Sequence, residues 1–321
     1  MSILEAVANN NYLELGILLN KGGNVNICDQ NGRSLIYIAS SNNHVRCLEV
    51  LLTAGGDINT CDKNGVSPIY IASQNRNKKC LMLLLKANGN FDKCDKDGVS
   101  PIYIATQNGN YNCLQMLLNF GGNANKCGPF GCSPIFIAAQ NGDYGCLELL
   151  INAGGNVHKC NNDGASPIYI ASEKGYKNCL NLLINAGGDV NKCDKLGFSP
   201  SFKAVCSNHV DCLRILLAAG GNINRSNNIG WTPIWIATQR NNVDCLKLLI
   251  AAGADIDKCD DDGYNAIYDA VLNGRDECLK LLLDAGADIT NSRDNSTSLI
   301  YVATQNGHDK CVELLRKKML P

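Results

Sequence analysis

Cys94-Asp95-Lys96-Asp97-Gly98-Val99-Ser100-Pro101-Ile102-Tyr103-Ile104-Ala105, continued by Thr106-Gln107-Asn108-Gly109-Asn110-Tyr111-Asn112-Cys113-Leu114-Gln115-Met116-Leu117-Leu118 and closed by Asn119-Phe120-Gly121-Gly122-Asn123-Ala124-Asn125, is the stretch that decides the fold. The same pattern starts at Cys61, 33 residues earlier (94 − 61 = 33). A fixed period of this size marks a stacked repeat. Asp95 to Gly98 read as a tight turn, because Asp and Gly accept backbone angles that other residues resist. Ser100 is placed to cap a helix, and Pro101 suits its first turn, where no backbone N–H is needed. Asn108-Gly109-Asn110 ends that helix. Cys113, Leu114, Leu117 and Leu118 make the apolar stripe of a second one. Gly121 supplies a left-handed stop, and Gly122 extends the turn.

Asp-x-x-Gly-x-Ser-Pro-Ile-Tyr-x-Ala, then Asn-Gly, then Leu-Leu-x-x-Gly-Gly-x-x-Asn resembles the ankyrin repeat, from about Ile3 to about Lys317. The resemblance implies an all-α fold, an ankyrin-type repeat solenoid of about ten helix pairs with projecting β-hairpin fingers. One domain is expected over 1–321, with an N-terminal cap at 1–29, internal 33-residue repeats at 30–292 and a C-terminal cap repeat at 293–321. The family usually has Thr-Pro-Leu-His where this chain has Ser-Pro-Ile-Tyr. Tyr does not copy the hydrogen bonding of that His, so adjacent repeats are expected to be joined more by aromatic packing.

Composition narrows the function. Apolar residues make up 45%, charged residues only 18%, and the net charge is −1 with no basic block. Nucleic-acid binding, which needs clustered Lys and Arg, is not expected. No apolar run is long enough for membrane insertion. The start, Met-Ser-Ile-Leu-Glu-Ala-Val, lacks the basic and apolar regions of a secretory signal, so a cytoplasmic protein is expected, with export as an effector by another route left open.

Cysteine is abundant, at 18 residues. Nine hold one place in the second helix: Cys47, Cys80, Cys113, Cys146, Cys179, Cys212, Cys245, Cys278 and Cys311. Seven precede the finger turn: Cys28, Cys61, Cys94, Cys127, Cys160, Cys193 and Cys259. Equivalent positions one repeat apart are too distant for a disulfide or a closed zinc site. The helix cysteines read as small buried apolar residues. His44, His209 and His308 each precede a Cys by three, yet they lie several repeats apart without further ligands. No metal, no cofactor and no catalytic constellation is expected. The Gly-Gly pairs follow helices instead of opening them, so they are not phosphate cradles.

A non-catalytic protein–protein interaction scaffold or adaptor is therefore expected, monomeric, with a protein partner whose identity the sequence does not name. The alternative is a host-directed effector, or a regulatory or inhibitory subunit of an enzyme in a separate chain. In the ankyrin family, partners contact the finger tips and the exposed, concave face of the first helices. Residues that break the repetition on those surfaces are the candidates. Phe198, Trp231 and Tyr264 follow the finger Gly in three consecutive repeats, and Phe130, Leu196 and Ile229 precede it where others have Asn or Asp. These either bind a partner or brace the row of fingers. On the first helices, the row Ile38, Ile71, Ile104, Ile137, Ile170, Ile236 changes to Lys203 and Asp269, with Arg240 four residues beyond Ile236. A mixed groove around Lys203, Arg240 and Asp269 is the second candidate. The aromatic ladder from Tyr37 to Tyr301 reads as packing.

Two repeats depart from the pattern. Arg293 and Ser296 replace the usual finger Asp or Asn and Gly. Ser201 stands where neighbours carry Ile, which loses about 1–3 kcal/mol of apolar burial locally. Hydrogen exchange is expected to be faster over residues 199–217 than over 100–118; equal protection would contradict this.

Overall fold

A computed structural model describes residues 1–290 and 299–319. Arg293, Ser296, Thr297 and Ser298 lie outside the described residues. The chain forms two compact units, Met1–Asn162 and Asp163–Pro321. The first holds helices α1 (Ile3–Ala8), α2 (Tyr12–Asn20), α3 (Leu35–Ser41), α4 (Val45–Thr53), α5 (Pro68–Gln74), α6 (Lys78–Lys86), α7 (Pro101–Gln107), α8 (Tyr111–Asn119), α9 (Pro134–Asn141) and α10 (Tyr144–Asn152). The second holds α11 (Pro167–Lys174), α12 (Lys177–Asn185), α13 (Pro200–Cys206), α14 (Val210–Ala218), α15 (Pro233–Gln239), α16 (Val243–Ala251), α17 (Ala266–Leu272), α18 (Asp276–Asp284), α19 (Leu299–Gln305) and α20 (Asp309–Met319). Within each unit, first helices pack on first helices and second helices on second helices.

The local reasons lie in each repeat. Ser100 Oγ accepts from the Tyr103 N–H at 3.2 Å, and the same cap recurs at Ser34, Ser67, Ser133, Ser166, Ser199, Thr232 and Asn265. Gly121 takes φ +93°, the left-handed region that ends a helix. Gly122 does more than extend the turn. A Cβ there would come within 2.6 Å of Ile102 Cδ1, so the Ile of Ser-Pro-Ile-Tyr fills the space the missing side chain leaves. Gly89 with Ile69, Gly155 with Ile135 and Gly188 with Ile168 repeat this fit.

Four rows of hydrogen bonds tie neighbours together. In the fingers, Lys63 N–H donates to Asn31 O and Lys96 N–H to Asn64 O, both at 3.0 Å. Pro129 has no N–H, so the row lapses there and resumes with Asn162 N–H to Phe130 O at 2.8 Å. In the second unit, Lys195, Asn228 and Asp261 donate to Asp163 O, Leu196 O and Ile229 O. The fingers are turns closed by Asx bonds. Among the described residues, strand pairing is limited to one isolated bridge, Cys28 to Ser34.

The second row uses the residue three after the second Gly. Asn59 Oδ1 accepts from Asn90 N–H at 2.8 Å and Asn191 Oδ1 from Asn222 N–H at 2.7 Å. The third lies at the turn between helices. Asn110 Nδ2 donates to Ser73 O at 2.7 Å and Asn242 Nδ2 to Val205 O at 2.7 Å. His44, His209 and His308 take the same place, with a ring nitrogen on the carbonyl of Val7, Glu173 or Leu272. The helix cysteines join here too. Cys80 Sγ donates to Asn43 Oδ1 at 3.6 Å, and Cys278 Sγ to Asn241 Oδ1 at 3.3 Å. Burial pushes both thiols up to about 11, away from the reactive thiolate.

The fourth row corrects the expected reliance on aromatic packing. Tyr169 Oη donates to Asp194 Oδ2, the finger Asp of the next repeat, at 2.8 Å. Tyr37 with Asp62 and Tyr70 with Asp95 stand in the same relation, and burial together with the facing carboxylate raises each phenol. Tyr does what the family's His was expected to do, from the same position but toward the following finger.

Ser201 is buried, and its Oγ has no hydrogen-bond partner. It faces Gly221 where the neighbouring repeats seat an Ile methyl. Ser201→Ile removes an unsatisfied hydroxyl and fills that space. The variant is expected to be more stable by about 1–3 kcal/mol in urea unfolding, and an unchanged or lower midpoint would contradict the packing described.

Candidate functional site

The second unit carries most of the irregular residues. Leu196 and Ile229 sit at successive finger tips, 63% and 49% exposed, joined by the Asn228 N–H to Leu196 O bond. Phe130, in the first unit, is 78% exposed at a finger tip, with φ +56°. A bulky aromatic in the left-handed region is strained, so its ring is held outward at a cost.

Phe198, Trp231 and Tyr264 are half-buried. Each packs on the first-helix ring of its own repeat, four residues on. Phe198 meets Phe202 at 4.8 Å between ring centres, Trp231 stacks on Trp235 at 4.4 Å, and Tyr264 stacks on Tyr268 at 4.5 Å. Such pairs add about 0.5–1.5 kcal/mol beyond their buried area. The contacts run within a repeat, from finger to helix. The signal for this was in the sequence: in these three repeats both i, on the finger, and i+4, on the first helix, carry rings.

The isoleucine row does not line an open groove. Ile71, Ile104, Ile137, Ile170 and Ile236 are at most 9% exposed, because successive first helices pack closely over them. Lys203 is half-buried. Its ammonium pairs with Glu173 Oε1 at 3.0 Å and lies 5.2 Å from the Phe198 ring centre and 5.4 Å from that of Tyr169. Glu173 was not singled out as its partner, although it is the one acidic residue among the Gln at that helix position. Arg240 is exposed at the end of α15. Asp269 is buried rather than facing solvent. Its Oδ1 accepts from Asn273 Nδ2 at 3.1 Å, and its Oδ2 has no hydrogen-bond partner. Burial raises the carboxyl to about 6, against the pull of the Arg275 guanidinium and with the push of Asp260. Lys203, Phe198 and Glu173 are thus brought together, as are Asp269, Asn273 and Arg275.

Among the described residues, no cluster of three or more His, Cys, Asp or Glu is placed to hold a metal ion. No helix among them is long and apolar enough to cross a membrane.

A row of capped helix pairs with hairpin tips is the architecture of a repeat-built protein-binding module. A profile of ankyrin repeats, in three copies, matches residues 3–97, 38–128, 69–158, 135–227, 204–293 and 234–320. The chain belongs to the ankyrin-repeat family, and its fold is the ankyrin-repeat solenoid. The human ASB11 ankyrin repeat domain is similar, with 26% identity and a TM-score of 0.62, over 69% of this chain and 99% of that one. The ankyrin repeat domain of Bcl-3, a member of the IkappaB protein family, matches at 22% identity and a TM-score of 0.63, over 69% of this chain and 100% of that one, and shows the fold alone. A comparison with curated proteins finds no match. Proteins of this family are generally interaction modules and typically non-catalytic.

Asp269 gives a pH signature. A carboxyl whose pKa is raised in the folded state is stabilising while protonated, so its contribution is present below its ordinary value of 3.8 and lost as pH rises to about 6. Asp269→Ile, the residue neighbouring repeats carry, removes this loss. The stability advantage of the variant in urea is expected to grow between pH 4 and 6 and then level off; a pH-independent difference would contradict the buried carboxyl.

Proposed function

We propose that this chain is a non-catalytic scaffold or adaptor that binds a partner protein through its finger tips and the inner face of its first helices. The observation that carries this reading is the pair Leu196 and Ile229. Two large apolar side chains stand exposed on adjacent, hydrogen-bonded fingers, at a position where other repeats place Asn or Asp. Exposed apolar groups in contiguous positions gain nothing for the monomer and are the usual mark of an interface. The bond rows hold these tips in place before binding, so little ordering entropy opposes association. Arg240, exposed at the C-terminal end of α15, adds a positive charge to the same repeat as Ile229. The half-buried rings Phe198, Trp231 and Tyr264 form the wall between tips and helices, and each has one face committed to its own repeat.

The test is affinity capture from a lysate of the source cells, using the full chain beside Leu196→Ser/Ile229→Ser. Both side chains are exposed, so circular dichroism and thermal unfolding are expected to match. A partner held by the wild-type chain is expected to be lost with the variant. Retention of the same partners at the same level would move the interface elsewhere.

A further inference from the structure

Lys203 shows how this inner face holds a cation. Its ammonium is walled by the Phe198 ring of its own finger and the Tyr169 ring of the preceding first helix, and it is paired with Glu173. Two repeats later (203 + 66 = 269), the same positions carry Tyr264, Trp235 and Gln239, and Asp269 stands in the place of Lys203. The aromatic walls are kept and the charge is reversed.

Three buried polar atoms on these residues and on nearby Arg275 lack hydrogen-bond partners. Asp269 is 6% exposed and its Oδ2 has no hydrogen-bond partner. Trp235 Nε1 and Arg275 Nε are buried and unpartnered as well. Arg275 draws the carboxyl toward its ionised form but does not bond Oδ2. Asp260, Asp261 and Asp262 lie on the finger of the same repeat and add negative charge. A buried carboxylate with an open acceptor is costly, and Ile170 and Ile236 show that the fold takes an apolar residue at this position. The cost is offset when a cation arrives between the rings.

We propose that Asp269, walled by Trp235 and Tyr264, is the docking site for a lysine or arginine side chain of a partner protein. The proposal rests on the reading of fingers and inner face as a binding surface. Tyr264, half-buried on Tyr268, is the ring that turns to admit the side chain. The acidic finger favours a basic segment over an acidic one.

The probe is a random dodecapeptide display library selected on the full chain. Trp231 and Trp235 are the only two tryptophans, so indole emission reports on this region alone. Selected peptides are expected to share a Lys or Arg, to change indole emission on binding, and to bind about tenfold or more weakly when that residue is replaced by norleucine or when the chain carries Asp269→Ile. Asp269→Ile follows the repeat pattern and is expected to fold, checked by its urea midpoint. Peptides that bind without a basic residue, or that bind Asp269→Ile equally well, would overturn the box and leave the finger surface standing. A library that yields no binder would overturn both.

Discussion

Among the described residues the first helices are only six to eight residues long. A helix of that length does not hold itself in water, because nucleation costs more than so few bonds return. The whole structure depends on that constraint. These short helices survive because a cap fixes the start, a glycine gap receives the Ile in most of the repeats, and hydrogen bonds reach neighbouring repeats. The side-chain oxygen to aromatic N–H cap is satisfied in every repeat with a described start in the common pattern, from Ser34 to Asn265. Stability in such an array is carried between neighbours as much as within a unit.

The same constraint explains a composition that looked unusual. Asn recurs because its amide serves two separate rows, the acceptors after Gly-Gly and the turn between helices, while Asp closes most finger turns. The cysteines fit the tight space beneath that turn, and the thiols of Cys47, Cys80, Cys245 and Cys278 donate to an Asn of the preceding repeat. Their raised pKa values keep them as packing residues rather than nucleophiles. His44, His209 and His308 likewise have a positional task, bonding a carbonyl of the repeat before.

Much of this was legible in the sequence. The 33-residue period, the capped starts, the glycine stops and the core cysteines all follow from local chemistry that each repeat states again. What was not legible depends on pairs distant in sequence. The Tyr169–Asp194 bond joins residues 25 apart in two different motifs, and nothing local shows that the phenol reaches the next finger. The burial of Asp269 was hidden because the isoleucines around it look like an exposed row until the packing of successive first helices is known. Lys203 and Glu173 were each visible as departures, and only the fold puts them 3.0 Å apart. Departures from a repeat point to the place where function lies, but the partner of each departure has to be read from three dimensions.

The central claim is that the finger tips and inner face of the second unit, rather than its second helices, meet the partner. The measurement that tests it most directly is hydrogen exchange of the full chain with and without the captured partner. The account predicts new protection at 194–198, 227–231 and 260–264 and along α13, α15 and α17, with α14, α16 and α18 unchanged. Protection confined to α14, α16 and α18 would contradict it.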